Sequence, residues 1–501
     1  MTRHKLIVNG FRGLATTGLV SLLVACGGGG SSGDDSSVSS ESIVARGVIT
    51  QLGSIWVLGV EYETPNGGTY SDDDNVSSVA NYKVGQWVRV RGRRNDDGIS
   101  GIATEVEYEA EIEGAAAGGA INGVTIIFTP GTNTAEAGNI NALNNGSRYE
   151  VSGLWLDDSS IEATYIKDDD DGDGIDEVKG FVEAVNPGLS LTVRGVTYNY
   201  GGPTVVALGD FVEIHFNGNT ASSVELEDDF NDANEGQEVE FEGAVNLDPA
   251  DLANCPPGAD FLIDRTCIDW DSMPSSGWQD GLTGPGDMES GLRVEAEGHF
   301  NASGLLIAEK IKGRGNRVRI TSTATNVNGG AGTFDLFFGD IQVTTMNGVT
   351  EYDLNVGTGV GDINNGDGLE VRGIRTGPAS MLAQRIKSKS VNANRHELRA
   401  EVDLNGADAS TNSITVMGIS SAADSDTELE IEDTVIATGS GSTSEADIDS
   451  FLNMIDDDNI VNSTNGPRDV VDVRIDTTNG GDGSFGSPYL ADQIEIEEED
   501  D

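Results

Sequence analysis

The chain reads as all-β: a tandem array of about six small antiparallel β-barrels behind a signal peptide and a flexible tether. Three observations predict this. A motif of one glycine, an alternating apolar strand and a closing glycine recurs along the 501 residues. Each copy is answered, after a short polar gap, by a second alternating strand. Glycine is abundant, at 67 residues, while aromatic residues make up only 6%, which suits many tight turns around small cores. A chain of this length exceeds what one core fills and divides into several.

The copies are "GQWVRVRG" (85–92), "GSRYEVSG" (146–153), "GDFVEIHFNG" (209–218), "GLRVEAEG" (291–298), "GDGLEVRG" (366–373) and the degenerate "RDVVDVRI" (468–475). Their answering strands hold "GIATEV", "IEATYI", "ASSVEL", "LIAEKI", "LAQRI" and "LADQI". Most units open upstream with a strand-like run such as "ARGVITQLGSIWVLG". Repetition of this kind marks an array of like units. The units fall at 45–113, 114–176, 177–238, 239–315, 316–395 and 396–501. The fourth carries a cysteine-containing insertion; the sixth is divergent, with its own insertion and an acidic tail. Each is expected to keep a separate hydrophobic interior and to follow its predecessor as a rod.

Alternation defines the hairpins. Val88 and Val90 point one way while Trp87, Arg89 and Arg91 point the other, as in a half-buried strand. The Asn95-Asp96-Asp97-Gly98 stretch is turn chemistry. Folding there sets Arg91 opposite Glu105 and Arg89 opposite Glu107. In the fourth unit Glu295 and Glu297 face Lys312 and Lys310, the same register with the signs exchanged. Cross-strand pairs of this kind are worth about 0.2–1 kcal/mol each. The cluster Arg89, Arg91, Arg93 and Arg94 beside Trp87 therefore reads as a solvated sheet face in preference to an anion or sugar patch.

An opening Gly-x-Val/Ile strand, then G-x-x-V-x-V-x-G, then A-x-x-I resembles the bacterial repeat family called domain of unknown function 5666. The resemblance covers most of residues 45–396 and is weakest in the last unit, where Arg468 replaces the first glycine. It implies OB-like barrels, often in tandem behind a lipoprotein signal, and it supplies no catalytic residue.

Residues 1–25 carry Arg3, Lys5 and Arg12, then an apolar run from Leu14 to Ala25 without acidic residues. That is a secretory signal, too short to remain as a membrane-spanning helix. Its end, Leu23-Val24-Ala25-Cys26, resembles the lipobox of bacterial lipoproteins. The resemblance implies cleavage before Cys26, a diacylglycerol on its thiol and an acylated amino terminus. Several acyl chains hold a protein where one binds marginally. Gly27 resembles the residue that sorts such proteins to the outer membrane. The expected place is therefore the bacterial cell envelope, lipid-anchored, periplasmic or surface-exposed. Residues 26–44 form a Gly/Ser/Asp tether too polar to fold, with a span of about 20–25 Å. In an exported chain the two other cysteines, Cys255 and Cys267, are expected to pair; two reduced, buried thiols are the alternative.

A net charge of −56 repels phosphate backbones and anionic lipid, so nucleic acid is excluded as a partner. The stretch "KDDDDGDGIDEVKG" places Asp169, Asp171 and Asp173 at alternate positions, followed by Gly174, the Ile175 carbonyl and Glu177. Calcium takes several hard oxygens around one point, and the stretch resembles the loops of thrombospondin type 3 repeats. It departs from an EF-hand at Gly180, where a bidentate glutamate is needed; a merely acidic linker is the alternative. Trp270 and Trp278 either stack against sugar rings or cap their own barrel, the second being favoured. His215 and His299 stand alone in sequence near the ends of equivalent strands, as solvent-facing rings, and His396 is likewise isolated. No nucleophile elbow, zinc-protease motif, phosphate loop or C-x-x-C occurs. The expected role is structural or binding and not catalytic, with calcium as the cofactor. The expected partners are the membrane, through its lipid, and an envelope protein or surface glycan. Two readings stay open beside it: a carbohydrate-binding or adhesive protein, and an enzyme whose site forms between repeats.

Overall fold

Five strands close into a ring in every repeat. In the first, β1 (Ser40–Gln51) pairs with the short strand Ile55–Val57, which turns back into Val60–Glu63. That strand runs parallel to β3 (Ser100–Tyr108), β3 pairs with β2 (Trp87–Asn95), and β2 returns to β1. The short hairpin turns at Leu58 and Gly59, with φ of 54° and 77°, the left-handed pair of a type I′ turn.

The same ring recurs with β4 (Ile112–Ala117), β5 (Arg148–Asp157) and β6 (Ser160–Asp168) in the second repeat, and β7 (Asp176–Asn186), β8 (Phe211–Asn217) and β9 (Thr220–Leu226) in the third. The fourth uses β10 (Glu238–Asn246), β11 (Arg293–Phe300) and β12 (Leu306–Gly313). The fifth uses β13 (Arg317–Thr323), β14 (Gly368–Gly377) and β15 (Ser380–Ser388), and the sixth β16 (Arg395–Asp408), β17 (Val470–Asp476) and β18 (Tyr489–Glu497). These small closed β-barrels are OB-like. The computed structural model describes residues 40–497, apart from 73–74, 77, 109, 170–173, 228–236, 280–281, 289, 315–316, 348, 356, 392–394, 409, 432–433, 453–454, 456–469 and 477–487. Cys26, Asp171 and Asp173 lie outside the described residues. Among the described residues no helix is long and apolar enough to cross a membrane.

The closing glycine of the motif has a physical reason. The register shifts at Gly92, Gly153, Gly298 and Gly373. A Cβ at any of them would meet a backbone oxygen of the partner strand at 2.0–2.2 Å. Only glycine permits that approach at a bulge.

Opening strands join the barrels in twos. β4 and β7 run antiparallel, with Glu113 opposite Glu177, and β13 and β16 do the same, with Ile320 opposite Leu398. β1 skips two repeats and pairs in parallel with β10, Ile43 opposite Glu238. The repeats therefore do not follow one another as a rod. The first and fourth keep separate cores, around Tyr62 and Val106 and around Phe261 and Ile311. The second and third share one continuous core through Ile112, Val178 and Ile214, as do the fifth and sixth through Ile320 and Leu398. Separate interiors thus hold for two repeats and fail for four. β1 also starts at Ser40, inside the expected tether, because its two faces serve two barrels: Ile43 enters the first core and Val44 the fourth.

The hairpin registers are as read, with Arg89 opposite Glu107, Arg91 opposite Glu105, Glu295 opposite Lys312 and Glu297 opposite Lys310. The arginine cluster is only partly a solvated face. Arg94 turns into the fourth barrel and binds Glu297 at 2.7 Å, Glu240 at 3.4 Å and Glu238. Trp87 is buried against Leu154 and Ala244, where the first, second and fourth barrels meet.

Candidate functional site: a cleft between barrels

A cavity of about 690 Å³ opens where the second to fifth barrels converge. Trp155 and Asp158 come from the second, Phe181 and Arg194 from the third, Asp264 and Arg265 from the fourth, and Gln384 from the fifth. Arg194 is its keystone. It leaves the turn of the third barrel's short hairpin with φ of 48°, and Asp264 leaves the matching turn of the fourth with φ of 51°. The guanidinium lies 4.1 Å from the centre of the Trp155 ring and donates to both oxygens of Asp264, at 2.9 and 3.3 Å. Burial opposes both charges. The Arg194–Asp264 attraction outweighs it, raising the arginine's pKa and lowering the aspartate's. Arg265 donates to Glu183 at 2.9 Å and approaches Asp158 at 3.6 Å. Both arginines of the wall are thus neutralised by their own carboxylates, while Asp157, Asp248, Asp251 and Glu351 also line the space.

Cys255 and Cys267 form a disulfide in this wall. Trp270 stacks on Phe261 with centroids 5.1 Å apart, and Trp278 lies 5.6 Å from Trp270. Both rings are half-buried against the fourth barrel's core.

Of the residues singled out for calcium, Asp169, Ile175 and Glu177 are described, and they fall at the joint of β4, β5 and β7. Arg148 donates there to Asp169, to the Ile175 carbonyl, to Asp176 at 2.7 Å and to Glu113 at 3.0 Å. Glu177 instead meets His215 Nδ1 at 2.7 Å. A guanidinium therefore already engages Asp169 and Ile175. Glu113 is buried, and burial, with Asp169 and Glu177 beside it, raises its carboxyl to about 9.

His215 departs from the solvent-facing reading. Its Nδ1 pairs with Glu177 and its Nε2 lies 3.4 Å from Glu213. Burial disfavours the charged ring, but the two carboxylates overcome it and lift the pKa to about 11. His215 occupies the place that Arg91 and Glu297 hold in their hairpins, but its hairpin partner is Ser223 and its carboxylate comes from the neighbouring strand β7, which local sequence does not reveal. His299 is half-exposed beside Glu309, at 3.0 Å. His396 is fully buried, with Nδ1 2.8 Å from Ser322 Oγ.

The repeating ring and its bulge glycine are the features that a family comparison tests. Two barrels match a described family. Residues 46–107 and 114–167 fit the model of "Domain of unknown function (DUF5666)". The DUF5666 matches cover the first two rings almost from opening strand to last strand. No curated protein matches the chain by sequence. A solved structure described as "drosophila Unr CSD456" is similar at 14% identity, covering 43% of this chain and 97% of its own, with a TM-score of 0.10.

Proposed function

We propose that the protein is an exported, lipid-anchored binding protein of the bacterial cell envelope whose ligand enters the cleft between the second to fifth barrels. The observation that carries this reading is the cleft itself. Its volume, about 690 Å³, falls in the range of roughly 300–1,000 Å³ usual for small-molecule sites, which favour boundaries between domains. Four barrels contribute to it, so tandem repetition has a use that no single barrel provides. The Arg194–Asp264 pair and the Cys255–Cys267 disulfide fix its wall. A non-catalytic role fits the placement of the described histidines, which lie outside the cleft's lining. The Ser322–His396 pair is shut away from solvent, and His215 is held between two carboxylates. Its carboxylate-rich lining favours a neutral or cationic polar ligand over an anion. Anchoring rests on Cys26 and the apolar run before it.

The test is retention of a small molecule from envelope extract, followed by native mass spectrometry of the purified chain. Retention by the wild type and its loss in Ser290→Trp, which narrows the cleft, would support the reading. No retention, or equal retention by both, would sink it. Anchoring is checked separately: Cys26→Ser should abolish incorporation of a labelled fatty acid and release the protein from membranes.

A further inference from the structure

Glu213 and His215 are two residues apart on β8 and so share one face. Glu177 on β7 is the cross-strand partner of His215. One carboxylate oxygen from each glutamate and one ring nitrogen all lie within 4.8 Å of one another. The two ring nitrogens differ. Nδ1 has a carboxylate oxygen of Glu177 at hydrogen-bonding distance, 2.7 Å. Nε2 is closed off from solvent and makes no hydrogen bond, although Glu213 Oε2 stands 3.4 Å away.

That separation is too long for a good hydrogen bond and fits something else. With zinc–nitrogen and zinc–oxygen bonds of about 2.0–2.2 Å at a tetrahedral angle, two ligand atoms stand about 3.4 Å apart. A histidine ligand commonly gives its other ring N–H to a carboxylate, which fixes tautomer and orientation; Glu177 stands where that carboxylate belongs. The ligating carboxylate also has an outer partner, since Lys179 Nζ is 3.8 Å from the other oxygen of Glu213.

We propose that His215 Nε2 and Glu213 Oε2 bind a zinc ion, with Glu177 as the positioning residue that orients the ring. The ion takes the place of the ring proton at Nε2, and water carried in with the ion completes its shell. Imidazole among the ligands selects zinc and its first-row neighbours over calcium, which takes oxygen ligands. The site lies apart from the lining of the cleft, and neither reading depends on the other.

The experiment is calorimetric titration of the metal-free full chain with zinc chloride, and separately with calcium chloride, at fixed ionic strength. Wild type should bind one zinc more per chain than His215→Ala or Glu213→Gln. Glu177→Gln should weaken that zinc about 10–100-fold. None of the three should alter calcium uptake by the acidic surface. Cobalt should give the visible band of a tetrahedral ion in wild type and lose it in His215→Ala. Glu213→Gln preserves side-chain shape, so a folded variant decides the matter even if His215→Ala does not fold. Superimposable zinc isotherms for wild type and a folded variant would overturn the proposal, as would equal loss of calcium and zinc.

Discussion

The first and fourth barrels keep separate cores and are tied by the buried Arg94 cluster, whereas the second and third share one core beside the Arg148 ion pairs. β1 and β10 bring together two separate cores, and Arg94 crosses the boundary to three glutamates of the fourth barrel. β4 and β7 pair over a short register, while Ile112, Val178 and Ile214 run continuously between their barrels. The second and third repeats are neighbours in sequence, so a non-directional apolar contact suffices to join them. The first must find a partner two repeats away among five similar barrels. A buried guanidinium that requires particular carboxylates discriminates between such partners, because a wrong partner leaves it unpaired.

The sharpest way to break this contrast is Arg94→Ala. Glu240 and Glu297 are buried, and removing one partner from such a cluster costs about 3–5 kcal/mol. In denaturant the first and fourth barrels should unfold early while the second and third hold. If the transition stays where it was, the ionic joint is not what binds them. Replacing Cys255 and Cys267 together by serine comes next. The crosslink spans a sequence separation of 12, and a short loop of this kind is worth about 2–4 kcal/mol. The loss should fall on the fourth barrel and leave the second–third pair unmoved. Ile214→Val in the shared core should cost about 0.5–1.5 kcal/mol. Because that core is common, probes placed in the second and third barrels should shift together; independent shifts would mean two cores.

The last test is a pH slope at the same joint. Glu113 is raised from an ordinary value of 4.5 to about 9, chiefly by burial. Between those values the folded chain holds a proton that the unfolded chain releases, so stability falls as pH rises through the window. Glu113→Gln keeps the neutral form. Its melting temperature should match wild type near pH 4 and exceed it increasingly toward pH 9, and parallel curves would show that Glu113 carries no proton in the fold.

Hairpins were legible in the sequence because alternation and charge exchange act over a few residues: Arg89 and Glu107 declare each other. The bulge glycines were legible as a recurrence, though not their cause, since the clash at Gly92 is with the partner strand's backbone. Pairing of barrels was not legible. Val44 looks like any apolar strand residue, and nothing local says that its face belongs to another repeat. The cleft was hidden for the same reason. Arg194 and Asp264 are single residues in separate turns, 70 positions apart, and only the packing of their barrels makes them a pair.

The two-sided opening strand also sets a timetable. Ile43 leaves the ribosome 195 residues before its parallel partner Glu238, an interval of about 10–40 s at ordinary rates of synthesis. Until then Val44 and Arg94 lack the surfaces that later cover them, and the intervening pair of barrels, which ends at Leu226, is completed only near the close of the interval. A chaperone acting during synthesis therefore meets a leading module with one face still uncovered.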